Sequence, residues 1–298
     1  MSRTVAILFV LIGGASYGLI SPVVKHAYSL GYSPGDVTSA QYFMATIVLL
    51  LIAAFQFRHF KSLTRRDVLL FCFLGVLSTG TSIFYYLALS ELPASLSIVL
   101  LFQFAWIVML IDYLVKRNKP TKAKWVALAL IVIGTLFAVD LFHAEWEGVS
   151  TKGLVLGLLA SLTYSTFLYS TSYVRQGTSP WVNSAIIATV SMVTVFFVFP
   201  PTFLFNGTMW SGLWIWALII GGLGQVIPPV FFNIGIPKVG GGLAGVLTSI
   251  ELPVAVVAAF FLLHEQVTGV QWVGIVMILL GIAAAEFRRR SRKGFKQV

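Results

Sequence analysis

Charge is what this 298-residue sequence has least of: 10% of its residues are Asp, Glu, Lys or Arg, against 58% hydrophobic residues and a mean hydropathy of +0.93. A chain with so little charge cannot cover its apolar groups in water. That excludes a water-soluble fold and makes lipid the solvent for most of it. Cysteine is nearly absent. Cys72 stands alone inside an apolar stretch, so no intramolecular disulfide can form and a cysteine-built metal site has no second thiolate. There is no phosphate-cradling loop, no His-Glu-x-x-His and no nucleophile elbow. ATP-driven transport by this chain alone and intramembrane metalloproteolysis therefore have no support, and neither a cofactor nor a metal is implied. No soluble stretch is long enough to add an enzyme. The net charge of +10 comes from basic residues between and after apolar stretches, with no groove-reading motif. This argues against nucleic acid and for membrane topology signals.

A membrane-spanning helix takes about 20 largely apolar residues. Ten such stretches lie between charged or Pro/Gly-marked breaks: 4–25, 36–57, 67–90, 93–116, 122–141, 152–175, 180–202, 211–236, 240–263 and 268–288. Arg3 precedes an apolar run with no small-residue cleavage site before Lys25, so the first stretch reads as a retained helix. If the N-terminus is cytoplasmic, 18 of the 20 lysines and arginines fall on that side. Lys25 and Lys152 fall on the other, with Asp36, Glu91, Glu145, Glu147 and Glu265. The positive-inside rule thus predicts a multi-pass cell-membrane protein with both termini cytoplasmic, and the clean partition supports an even number of crossings.

The sequence also repeats. An offset of 147 residues pairs Tyr17 with Tyr164, Trp125 with Trp272 and Gly134 with Gly281. An offset of 146 pairs Gly75 with Gly221 and Tyr85-Tyr86 with Phe231-Phe232. Five helices per half is an odd number, so the second half must enter the membrane from the opposite side. The expected fold is an all-α membrane protein of ten transmembrane helices in two inverted five-helix repeats, 1–141 and 150–290, followed by a basic cytoplasmic tail, 291–298. Inverted repeats are a recurrent transporter plan, with the substrate near the midplane and access alternating between faces.

Several of these residues carry a family resemblance. Tyr17 and Tyr164, the Tyr85-Tyr86-Leu-Ala-Leu ending helix three, the run Glu251-Leu-Pro253-Val, the Leu-His-Glu265 that follows, and Gly134 and Gly281 together resemble the EamA-type branch of the drug/metabolite transporter superfamily over nearly the full chain. The resemblance implies a ten-helix inverted-repeat carrier whose central cavity is lined by helices one to four and six to nine. It leaves the substrate open. The chain departs from the family pattern twice. His264 stands where a Gly precedes the glutamate ending helix nine, and Lys116-Arg117 stand where a glutamate follows helix four.

Among candidate residues, Glu251 is the outlier. An ionised side chain near a bilayer midplane costs on the order of 2.5–3.5 kcal/mol on insertion scales. It is either a substrate or proton site, or a protonated acid bonded to a neighbouring helix, and intramembrane ionisable groups generally line pathways. Gln103 sits at the equivalent midpoint of the fourth stretch, at an offset of 148, so a pseudo-twofold axis would bring both to one cavity. Pro253 removes a backbone donor beside Glu251, which can free carbonyls for a ligand or simply kink the helix. Further midplane candidates are Gln41, Tyr42, Tyr85, Tyr86, Trp106, Tyr164, Gln225 and Asn233, with Tyr17 from helix one. Glutamine and asparagine in membrane helices tie helices together as readily as they touch a solute. Stretches five and ten carry almost nothing polar, so they are expected to face lipid or the second subunit of a homo-oligomer.

Asp112 and Lys116 have ordinary i,i+4 ion-pair spacing, and Lys25 and His26 read as a solvated helix end. The functional expectation is a secondary-active carrier, an exporter or a proton-coupled carrier, of a small organic metabolite that is amino-acid-like or cationic. The competing classes are a non-transporting membrane interaction protein and an intramembrane enzyme. The enzyme would need a second ionisable group near Glu251, and the sequence offers none at the midplane.

Overall fold

The computed structural model describes residues 1–92, 94–117, 120–140, 150–264 and 266–294. Glu145, Glu147 and Glu265, counted above as outward-facing acids, lie outside the described residues, as do the last four residues of the basic tail. All regular structure among the described residues is helical. Its elements are α1 (Arg3–Ser29), α2 (Pro34–Ala54), the single turn α3 (Phe57–Phe60), α4 (Arg65–Glu91), α5 (Ala94–Phe102), α6 (Phe104–Lys116), α7 (Lys122–Ala138), α8 (Thr151–Thr171), α9 (Pro180–Val198), α10 (Trp214–Gly221), α11 (Ile227–Val239), α12 (Gly241–Thr248), α13 (Glu251–Leu262) and α14 (Gly269–Gly294). Two π-helical turns, Met209–Leu213 and Gly222–Val226, flank α10. Among the described residues, eight spans are long and apolar enough to cross a membrane, with α5–α6, α10–α11 and α12–α13 each contributing one. The remaining two expected stretches are α7, of 17 residues, and the shorter apolar part of α14, Gly269–Ala285. Helices dominate because lipid offers no partner to a backbone amide, so each must be satisfied within its own segment.

Helix starts are encoded locally. Side-chain oxygens of Ser2, Ser33, Thr64, Thr121, Ser150 and Ser179 each accept a first-turn backbone N–H, and Thr64 with Asp67 closes a full capping box. Two starts match in detail. Gly31, at φ +91°, precedes the Ser33 cap and Pro34, while Gly177, at φ +97°, precedes the Ser179 cap and Pro180. Helix ends match too: Arg117 (φ 53°) and His264 (φ 52°) both occupy left-handed backbone, 147 residues apart. A glycine would fit either position more easily, since a left-handed residue without a Cβ carries no steric penalty.

Three stretches expected to be continuous are interrupted. The fourth breaks at Gln103, between α5 and α6, and the ninth breaks at Ser249–Ile250, between α12 and α13. In the eighth, Pro228 and Pro229 have no N–H to return to the carbonyls of Gly224 and Gln225, and the chain widens to a π turn at Gly222–Val226. Ser16 on α1 donates to the Leu223 carbonyl of that turn at 2.6 Å. In the short link before α5, Leu92 is extended and keeps α4 and α5 apart. The Asn206-Gly-Thr208 sequence is a tight turn, with Thr208 N donating to Asn206 Oδ1 at 3.0 Å and Gly207 at φ +80°.

Glycines set the helix crossings, and the crossings come in related pairs. A Cβ on Gly75 would stand 2.8 Å from the Ile187 carbonyl, and one on Gly221 would stand 2.6 Å from the Gln41 carbonyl. The two contacts are offset by 146 residues at both ends. At 147 residues the same holds where α7 meets α14: a Cβ on Gly134 would stand 2.8 Å from the Gly274 carbonyl, and one on Gly281 2.9 Å from the Ala127 carbonyl. Such close backbone approach is how membrane helices gain packing without a hydrophobic driving force.

Gly274→Leu would force backbone apart along the α7–α14 seam. It is expected to cost about 1–3 kcal/mol, read as a fall in thermal midpoint of the purified protein. His264→Gly relieves a left-handed residue at a helix end and is expected to raise stability by about 1 kcal/mol in the same assay.

Candidate functional site

A cavity of about 450 Å³ lies between α1, α4, α5, α8 and α13, with single contributions from α2 and the π turn before α11. No described residue of α7 or α14 lines it. Along α1 the lining runs from Tyr17 through Ser21, Val24 and Lys25 to Tyr28, and along α4 from Ser78 through Ser82 and Tyr85 to Leu89. The α1 stretch is three helical turns, about 16 Å. Its far end reaches the surface at the exposed Lys25.

The floor is aromatic. Tyr17 and Tyr164 meet edge to face with ring centroids 6.2 Å apart. Behind them Phe232 lies 5.8 Å from Tyr17, and Phe104 lies 4.8 Å from Tyr164. Phe104 and Phe232 are fully buried, so the rings close the cavity on the side away from Lys25.

Glu251 sits at that floor. It is placed there by the break before α13, which local chemistry builds. Thr248 Oγ1 donates back to the Ala244 carbonyl at 3.0 Å, and Ser249 Oγ donates to the Gly245 carbonyl at 3.2 Å. Pro253 cannot donate to the Ser249 carbonyl. Gly18 lets α1 come against the Glu251 carbonyl so closely that a Cβ there would clash. Tyr17, Tyr85 and Tyr164 all lie within electrostatic reach of the carboxyl group. Among the described residues, Glu251 Oε2 and Tyr164 Oη are buried without a hydrogen-bond partner. A buried polar atom left in this state is costly unless a ligand, water or proton meets it.

The structure brings together Tyr17, Tyr85, Tyr86, Tyr164, Gln225 and Glu251 of the candidates, with Gln41 beside them. It does not bring the other four to the wall. Tyr42 is wholly buried one layer behind, its hydroxyl 2.9 Å from the Oγ of Ser82, which does line the cavity. Asn233 donates to Ser184 Oγ at 3.0 Å and ties α11 to α9. Gln103 donates to its own Val99 carbonyl at 2.9 Å and accepts from Trp106 Nε1 at 2.8 Å, with Trp106 39% exposed.

The expected meeting of Gln103 and Glu251 therefore does not occur, and the reason is register. Phe104 begins α6 as Glu251 begins α13, and Ser165 Oγ donates to the Phe104 carbonyl as Gly18 abuts the Glu251 carbonyl. Both relations hold at an offset of 147. The counterpart of Glu251 is Phe104, and one residue of slip turns Gln103 about 100° away.

Ser21, Lys25, Tyr28, Ser78, Thr81 and Ser82 line the cavity without having been singled out for it. The signal was present, because Tyr17/Ser21/Lys25/Tyr28 and Ser78/Ser82/Tyr85 are stripes at helical spacing.

A polytopic helical protein with a solute-sized cavity that holds an isolated acid has the architecture of a membrane carrier. The sequence pattern of the EamA-like transporter family matches residues 4–139 and again 151–285. The chain belongs to the EamA-like transporter family. It is 24% identical over 299 residues to the "Threonine/homoserine exporter RhtA" of Salmonella typhimurium, covering 98% of this chain and 95% of that one. An "Uncharacterized transporter" of Archaeoglobus fulgidus is 26% identical over 71% of this chain and 74% of its own. A transporter of Synechocystis is 21% identical over 69% of this chain, and the match spans 63% of that relative. A solved crystal structure shares the fold with a TM-score of 0.73, covering 97% of this chain and all of the other at 17% identity.

If the cavity is the binding site, Gln103→Leu should leave ligand-dependent thermal stabilisation within about twofold of wild type. Ser82→Leu, which fills the wall and breaks the Tyr42 bond, should reduce it at least about tenfold.

Proposed function

We propose that this protein is a secondary carrier in the cell membrane that moves a small amine-bearing metabolite, amino-acid-like or cationic, by alternating access. Glu251 is the group that takes the substrate's ammonium or a proton. The observation that carries this is the buried, unpartnered carboxyl oxygen of Glu251 at the floor of a cavity sized for a small organic solute. The tyrosines around it supply π faces, which favour a cation beside the acid. The relative named as a threonine and homoserine exporter supports amine-bearing solutes as the substrate class.

The carrier reading includes ten crossings in two inverted halves, with both termini cytoplasmic. Four observations support the two inverted halves, and the Lys and Arg partition supports the cytoplasmic termini. The family pattern matches twice, α7 has a length at the lower end of the spanning range, and the glycine contacts exchange between halves at offsets of 146 and 147 residues. Tyr17 also touches its own counterpart Tyr164, as residues do on either side of a twofold axis. In this orientation the cavity opens away from the cytoplasm, toward the face of Lys25.

Reconstituted protein tests the role. Glu251→Gln is expected to lower transport of homoserine or tyramine at least about tenfold and to flatten its pH dependence. Unchanged pH dependence together with an unchanged preference for cations would remove Glu251 from the mechanism.

A further inference from the structure

Repeat counterparts allow the two ends of the molecule to be compared residue by residue, and they are not alike. At the end away from the cavity mouth, Lys116 Nζ lies 2.9 Å from Asp112 Oδ1 and also over two rings, 5.3 Å from the centroid of Tyr169 and 5.9 Å from that of Tyr173. The two tyrosine hydroxyls are 2.6 Å apart. Lys124 at the start of α7 approaches Asp112 Oδ2 at 3.9 Å. Gly241 and Gly242 at the start of α12 admit the cluster. A Cβ on the first would stand 2.8 Å from Tyr169 Cα, and one on the second 2.7 Å from Asp112 Oδ2. Asp112 is only 16% exposed, so its pairing is partly shielded from water.

At an offset of 147, Asp112 corresponds to Ala259, Lys116 to Leu263, Tyr169 to Pro22 and Tyr173 to His26. None of these pairs can reproduce the ion pair or the cation–π contacts. The same asymmetry appears in the walls. Ser21 on α1 lines the open cavity and is exposed, while its counterpart on α8, Leu168, is wholly buried. The closed α8 stretch leads directly into Tyr169 and Tyr173. Beyond them, Arg175 donates to Asp67 Oδ2 at 2.9 Å and to the Ser62 carbonyl at 2.7 Å.

We propose that Lys116, held by Asp112 between Tyr169 and Tyr173, is a positioning residue that latches one face of the carrier shut. Its cluster biases the protein toward the state open at Lys25. The latch rests on the alternating-access reading above. It touches no substrate. To open the closed face, the end of α8 must leave α6 and α12, and that movement breaks the Lys116 contacts. At the other face the described ion pair, Lys152 with Glu91 at 2.6 Å, joins α8 to α4 rather than α8 to α6 and α12. No ion pair stands at the matching positions of the Lys116 cluster, so the cluster's worth biases the two states.

The test uses Cys72→Ser protein in lipid nanodiscs, with Ser21→Cys reporting the open face and Thr171→Cys the closed one, and measures maleimide labelling rates. Lys116→Met and Asp112→Asn are expected to speed labelling at position 171 about tenfold and to slow it at position 21, while Lys116→Arg leaves both within about twofold. Faster labelling at both positions would mean that the cluster only stabilises the fold, and the latch would be overturned. No change with the latch variants, while homoserine or tyramine still moves the two rates in opposite directions, would overturn the latch and leave the carrier intact. If neither variant nor amine moves the rates in opposite directions, alternating access itself fails and the latch with it.

Discussion

Glu251 can sit deep in an apolar bundle only because the polypeptide around it is broken in a controlled way. An uninterrupted helix would give the acid side a wall of satisfied backbone and no room. The hydroxyls of Thr248 and Ser249 fold back on α12, Pro253 withholds a donor, and Gly18 lets α1 close on the gap. The carboxyl group is then left with one oxygen unpaired and with aromatic rings on several sides. In a medium of low dielectric that arrangement is stable only if something else can bring a positive charge or a proton. The cavity, its aromatic floor and its open end at Lys25 all follow from where that break falls.

The rest of the packing serves to hold three interrupted segments against straight ones. Glycine carries most of the crossings, and the same crossing recurs with its partners exchanged, as at Gly75–Ile187 and Gly221–Gln41. This matters energetically because lipid gives helices no hydrophobic reason to associate, and close backbone contact must supply the attraction instead. Polar side chains add ties. Thr46 to the Ala188 carbonyl, Ser191 to the Gly75 carbonyl and Asn233 to Ser184 each join helices without entering the cavity.

How far the sequence could be read depended on the kind of signal. Apolar length is additive over twenty residues, so single interruptions did not obscure the stretches, although the breaks at Gln103 and Ser249–Ile250 were invisible to it. Glu251 stood out because an acid in that setting is rare whatever surrounds it. Gln103 was misplaced because an offset of 148 and one of 147 are almost the same on paper but differ by about 100° on a helix. Ser21, Ser78 and Ser82 were passed over because small hydroxyls are common in membrane helices and gain meaning only as stripes on one face. Arg117 and His264 show the reverse case. Their place in the chain already matched, but only the backbone angle reveals that both end a helix in the same left-handed turn.

Where the halves agree they build the frame, and where they differ they set the chemistry. Tyr17 and Tyr164 agree and touch. Glu251 and Phe104 occupy matching positions at the head of a helix, yet one is an acid facing a cavity and the other a ring packed on Tyr164 at 4.8 Å. A second acid in place of Phe104 would put two like charges near one floor, each raising the cost of the other. An apolar ring there instead is fully buried and packs on Tyr164, leaving Glu251 as the one acid that lines the cavity among the described residues. The asymmetry at the floor and the asymmetry of charge at the two ends thus belong to one design. In the proposed carrier, matched halves supply the frame for two orientations of access, and unlike residues at matched positions are what can make one orientation preferred.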